Sequence, residues 1–153
     1  MSVLMRKVPL KKLENLQAQL ADKPEETLEK ALILLEPGFD DLPVRWEDSE
    51  IYGMLLEWFQ DEASPALLGG GRFSSLLSFL EEAVDVADLF ILCPEDLEKV
   101  RAYIADLDFD IPGFIEDFAY NYDLDERGVS AALQTLMGAI MASTGEALIF
   151  VGR

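Results

Sequence analysis

Histidine is absent from this chain of 153 residues, cysteine occurs once, and only 12 side chains are basic against 30 acidic. Each shortage removes a class of chemistry. Without an imidazole there is no His general base, no Ser–His or Cys–His nucleophile pair, and no histidine metal ligand. A single thiol, Cys93, rules out an internal disulfide framework and any zinc site built from several thiolates. Met1 to Lys12 carries basic residues with no apolar run behind them, so no signal peptide is expected and a cytoplasmic location is. Residues 128–145 are uncharged, but Ser130, Gln134, Thr135, Ser143 and Thr144 make them too polar for a membrane span. A buried central helix is expected there instead, with Gly138 and Ala142 letting a neighbour come close.

What the chain has in excess is negative charge, a net of −18. Of the 30 acidic and 12 basic side chains, the first thirty residues hold 5 and 6, so the remainder carries 25 and 6, a net of −19. Such a surface repels nucleic acid and anionic membrane and steers cationic partners. The plainer account of the same charge is solubility. Half of the residues are hydrophobic, an ordinary globular share that argues against wholesale disorder. At this length one domain spanning residues 1–153 is expected, large enough to need no metal or disulfide staple.

The pattern is organised around residues 87–107. Asp88-Leu89-Phe90-Ile91-Leu92 is an apolar run of strand length that stops at Cys93-Pro94. Leu97, Val100, Ile104 and Leu107 then repeat at helical spacing, with Pro94 in the first turn and Glu95, Asp96 and Glu98 complementing the helix dipole. Ser2–Val8 and Glu146–Val151 read as two further strands. Helices are predicted from Pro9, with Leu13, Leu16 and Gln17 inward; from Pro24 to Pro37; and around Ile51, Met54, Leu55, Trp58 and Phe59. Others follow over Ser74–Asp85, where Ser74 is a candidate cap, over Phe114–Tyr120, and over Glu126–Ser143. Three strands among so many helices, not strictly alternating, predict an α+β fold: a small mixed or antiparallel sheet covered by about six helices, with the 3–8 and 146–151 strands adjacent.

The order of these segments resembles the YfbM-like family of bacterial proteins. The resemblance rests on the first strand running into Pro9-Leu10-Lys11-Lys12-Leu13, on Trp46 opening a helix, and on Pro65-Ala66-Leu67-Leu68-Gly69-Gly70. Pro94-Glu95-Asp96-Leu97, Leu107-Asp108-Phe109-Asp110 and the closing Gly145–Val151 complete it. It implies a compact α+β fold and no established activity. The family's Trp helix carries a His shortly after the Trp, which this chain lacks.

Four places invite a chemical reading. Cys93 stands at a helix N-terminus, which favours a thiolate, but three nearby acids oppose one and no base is available. Asp106, Asp108 and Asp110 alternate like the first ligands of a calcium loop, yet Ile111 occupies the obligatory glycine position, so no metal site is expected. Gly70, Gly71 and Arg72 offer amides and a guanidinium to an anion without matching a phosphate-loop or dinucleotide pattern. Trp46, Glu47, Glu50, Glu57 and Trp58 place acids and indoles on one strongly amphipathic helix, a candidate partner-binding face. With no cofactor signature, the expectation is a non-catalytic acidic protein that binds a basic protein partner, needs no cofactor, and contacts neither nucleic acid nor membrane. The alternative is a small-molecule enzyme with a carboxylate site near the Trp46–Trp58 helix and the Gly69–Arg72 loop.

Overall fold

The computed structural model describes residues 3–36, 49–86, 88–106, 110–142 and 145–152. Their order is β1 (Val3–Pro9), α1 (Leu10–Gln19), α2 (Pro24–Leu35), α3 (Ser49–Glu62), a 3-10 turn (Gly71–Phe73), α4 (Ser74–Ala83), β2 (Asp88–Leu92), α5 (Pro94–Asp106), α6 (Ile111–Tyr122), α7 (Glu126–Ala142) and β3 (Glu146–Gly152). The predicted α+β architecture is present: seven helices and one three-stranded antiparallel sheet among the described residues. Strand order is β1-β3-β2, so the last strand inserts between the first two. Met5 lies opposite Phe150, which in turn lies opposite Phe90. The first and last strands are neighbours, as expected.

Position in the sheet explains why the strand sequences are apolar without alternating. Ala147 to Val151 of β3 are all buried, because helices cover both faces. On one face Leu4, Val8, Leu89, Ile91, Ala147, Ile149 and Val151 share a core with Leu13 and Leu16 of α1, Ala31 and Leu35 of α2, and Leu76, Leu77 and Leu80 of α4. On the other, Met5, Leu92, Leu148 and Phe150 share a core with residues of α3, α5, α6 and α7. There the Phe150 ring lies 5.7 Å from Phe90 and 6.1 Å from Tyr52, centroid to centroid.

Arg6 is the polar exception on β1, and it has a specific task. It shares a face with Leu4 and Val8, and α2, which packs there, ends without a basic residue in its last turn. Arg6 supplies one from a distance: its guanidinium donates to the carbonyls of Leu34 and Glu36, each at 2.9 Å, and of Ile33 at 3.4 Å.

Several helix ends differ from expectation. Ser74 does not cap α4. It is the first helical residue, entered through the 3-10 turn, and the α4 amides are served instead by Gln17 of α1. Its Oε1 accepts from Leu76 N at 3.3 Å while its Nε2 donates to the Arg72 carbonyl at 2.6 Å. Helix α6 is longer than predicted because Asp110 caps it, accepting from Gly113 N at 3.2 Å, with Pro112 in the first turn. Helix α7 is not surrounded by protein. Its buried stripe is Gly128, Val129, Ala132, Leu133, Leu136 and Ile140, while Gly138 faces open space and Met141 is exposed. The close approach expected at Gly138 and Ala142 does not occur there. Missing charge made α7 look central, whereas its small and polar residues Ala131, Gln134 and Gly138 form an uncharged outer side. No helix among the described residues is long and apolar enough to cross a membrane.

Leu136 is fully buried between α7 and its neighbours. Leu136→Asp is expected to cost several kcal/mol and unfold the protein, read as loss of the cooperative thermal transition. A melting temperature within a degree or two of the parent would overturn this packing.

Candidate functional site

The sequence-predicted loop Gly70-Gly71-Arg72 meets the N-terminus of α5 in a buried polar joint. Helix α3 ends at Glu62, the amides of Ala63 and Ser64 return to the Phe59 carbonyl, and the chain then turns through Ser64–Leu67 toward Gly70. Ser64 and Asp96 are both buried, and the Ser64 hydroxyl donates to Asp96 Oδ1 at 2.5 Å. Asp96 is the one buried carboxylate among the described residues. The fully buried Cys93 thiol donates to the Gly70 carbonyl at 3.0 Å. Gly71 sits between these groups with φ +53. A Cβ there would stand 2.8 Å from Asp96 Oδ2 and 3.0 Å from Cys93 Sγ, so both backbone conformation and space demand glycine.

These contacts define what the joint can do. Burial pushes the Cys93 thiol above its ordinary pKa; the amides of Phe73 and Arg72 pull it down in part, and the Glu95 and Asp96 carboxylates push it further up. A buried, protonated thiol is no nucleophile. Ser64 and Asp96 are equally closed to a substrate. The loop amides of Arg72 and Phe73 face sulfur, and the Arg72 guanidinium pairs with Glu95 at 3.0 Å and Glu14 at 3.6 Å while lying over the Phe73 ring. The amides of Arg72 and Phe73 and the Arg72 guanidinium are thus engaged within the fold. The joint ties α1, the loop after α3, α4 and α5 together.

The second sequence-predicted face lies on α3. Trp46 and Glu47 fall outside the described residues; Glu50 and Glu57 are exposed. Trp58 is turned inward, its indole packed edge-on against Phe114 at 5.6 Å and Phe118 at 6.2 Å. Its buried Nε1 has no hydrogen-bond partner of good geometry. The nearby Tyr103 hydroxyl is pushed up by its burial and by Glu62, an effect that the Trp58 N–H partly offsets. Trp58 is therefore core-forming here, and α3 presents carboxylates to solvent rather than an aromatic anchor.

Two acidic concavities escaped the sequence reading because each is made by elements distant in sequence or by a turn. One, of about 420 Å³, lies at the α6–α7 turn, where Glu116, Asp117, Asp123 and Glu126 surround Tyr120, which is 87% exposed. The other lies between the ends of α2 and α4. Asp106 is exposed at the end of α5, Asp110 is the cap already described, and Asp108 lies outside the described residues. Among the described residues no three His, Cys, Asp or Glu side chains are grouped to hold a metal ion.

Compared with protein-family models, with curated proteins and with solved structures, the chain matches none.

Three outcomes follow from the joint. Gly71→Ala is expected to destabilise the fold by about 1–3 kcal/mol in denaturant titration, since it forces a left-handed alanine against Asp96 and Cys93; an unchanged midpoint would contradict the joint. Cys93 is expected to resist a thiol reagent in the native state and react on unfolding. Because its folded pKa lies above the ordinary 9.0, the stability its neutral form confers is complete below pH 9.0. That stability is lost as pH rises through the folded value. Cys93→Ala should flatten this alkaline loss, measured by denaturant midpoints across pH 8–11.

Proposed function

We propose that this chain is a non-catalytic protein-binding module that recognises a basic protein partner, in the manner of small acidic antidote or immunity proteins. The observation that carries the reading is where its carboxylates stand. Every described Asp and Glu except Asp96 reaches the surface, and the ion pairs among the described residues engage only Glu14, Glu26 and Glu95. No ion pair among the described residues engages the acids of α3, α6 or the α6–α7 turn. A field of this kind accelerates encounter with a cationic protein and discriminates against anionic ones. The enzymatic alternative calls for carboxylates converging in an accessible apolar cavity near the Gly69–Arg72 loop, and the buried carboxylate there, Asp96, is spent on Ser64. A cytoplasmic location and kinship with the YfbM-like family belong to the same proposal, the latter resting on the order of segments in the chain.

The test is affinity capture from a cell lysate at about 50 mM and about 500 mM salt, with mass spectrometry of the eluates. A basic protein retained at low salt and released at high salt is expected. Its association rate should fall by about tenfold between those conditions. Reversing Glu47, Glu50 and Glu57 to Lys should slow association without lowering the melting temperature. Binding indifferent to salt, or turnover of a small molecule with no protein retained, would overturn the proposal.

A further inference from the structure

Resting on that reading, we infer that the groove between the C-terminal ends of α2 and α4 is where the basic partner is anchored, by an amphipathic segment that presents an apolar side chain beside Lys or Arg. The groove, of about 530 Å³, is lined by Leu32, Leu35, Val84 and Val86, with Ala83 between, and its rim carries Glu36 and Asp85. Three features of the sequence there are unfavourable for the isolated fold and favourable for such an occupant. First, Leu32 is 39% exposed on the last turn of α2, one of the few large apolar side chains left in solvent. Second, α4 places Glu81 and Glu82 in its last turn and Asp85 just beyond, at the end where the helix dipole is already negative, with no basic residue in that turn. Third, none of Glu36, Glu81, Glu82 and Asp85 is in an ion pair with a described residue, and no described basic side chain lines the groove. Arg6, at the end of α2, has its guanidinium on the α2 carbonyls.

A cation laid across the rim would meet Glu36, Asp85 and the α4 terminus at once, while an apolar side chain covered the exposed edge of Leu32. The other acidic concavity, at the α6–α7 turn, supplies charge around an exposed tyrosine, but its apolar floor is only Ala119 and Leu124. That makes it a contributor to the long-range field, whereas the α2–α4 groove combines field with apolar contact.

The experiment uses a fluorescein-labelled, helical Leu–Lys peptide as probe and the full chain as receptor, followed by fluorescence anisotropy at two salt concentrations. Leu32→Ser, which leaves the charge unchanged, is expected to weaken binding about fivefold. Glu36→Lys with Asp85→Lys should weaken it about tenfold, and Glu116→Lys with Asp117→Lys, an equal change in charge, by no more than about twofold. Circular dichroism melts confirm that each variant is folded; Leu32, Glu36 and Asp85 are exposed enough to be replaced without disturbing the core. If binding stays salt-sensitive but ignores Leu32→Ser, or responds equally to both reversals, the groove is not the anchor and only the broader proposal stands. If binding ignores salt altogether, both fall. Self-association of the parent chain that Leu32→Ser abolishes, seen by sedimentation velocity, would identify a second copy as occupant and overturn the inference.

Discussion

The last strand to be made is the one the fold cannot do without. β3 lies between β1 and β2, gives both of them their hydrogen-bonded neighbour, and is buried on both faces. A three-stranded sheet with no wet face must be covered twice, and the seven helices among the described residues do this in two layers. Everything the protein shows to solvent is then set largely by the outer sides of helices and the turns between them. That is where its acids are. The separation is nearly complete: two apolar cores inside, carboxylates outside, and Asp96 the single buried carboxylate among the described residues.

The fold draws little of its stability from that charge. The ion pairs seen are few and solvent-exposed, of a kind that contributes about 0–1 kcal/mol each. The polar contacts that join distant elements are of another sort: Arg6 on the end of α2, Gln17 clamping the start of α4, and Ser64 on Asp96. Each gives a buried or terminal backbone group, or the one buried carboxylate, the partner it would otherwise lack. Against this economy, the unpaired acids at the end of α4 and the exposed leucine of α2 stand out as features that folding alone does not call for.

What could be read from the chain was local. Apolar runs of strand length marked β2 and β3, and Pro9, Pro24 and Pro94 marked helix starts, because proline acts on its own residue and its neighbours. What could not be read was pairing at a distance. Gln17 meets Arg72 and Leu76 across more than fifty residues, and Asp96 looks from sequence like any acid complementing a helix dipole until Ser64 is brought to it. Cys93 was placed correctly at the start of α5, but its inertness follows from the Gly70 loop laid over it. On the Trp58 helix, amphipathic spacing tells which side is apolar, but not that the indole packs against Phe114 and Phe118. The charge-free α7 shows the reverse error, since absence of charge permits burial without requiring it.

The central claim is a division of labour, in which unpaired surface acids speed the approach of a cationic partner and the α2–α4 groove holds it. Stopped-flow kinetics of the labelled Leu–Lys peptide, across a range of salt, separates the two most directly. The account predicts that salt lowers the association rate constant steeply and leaves the dissociation rate constant nearly unchanged, while Leu32→Ser raises dissociation and leaves association nearly unchanged. Salt and Leu32→Ser acting on the same rate constant would contradict it.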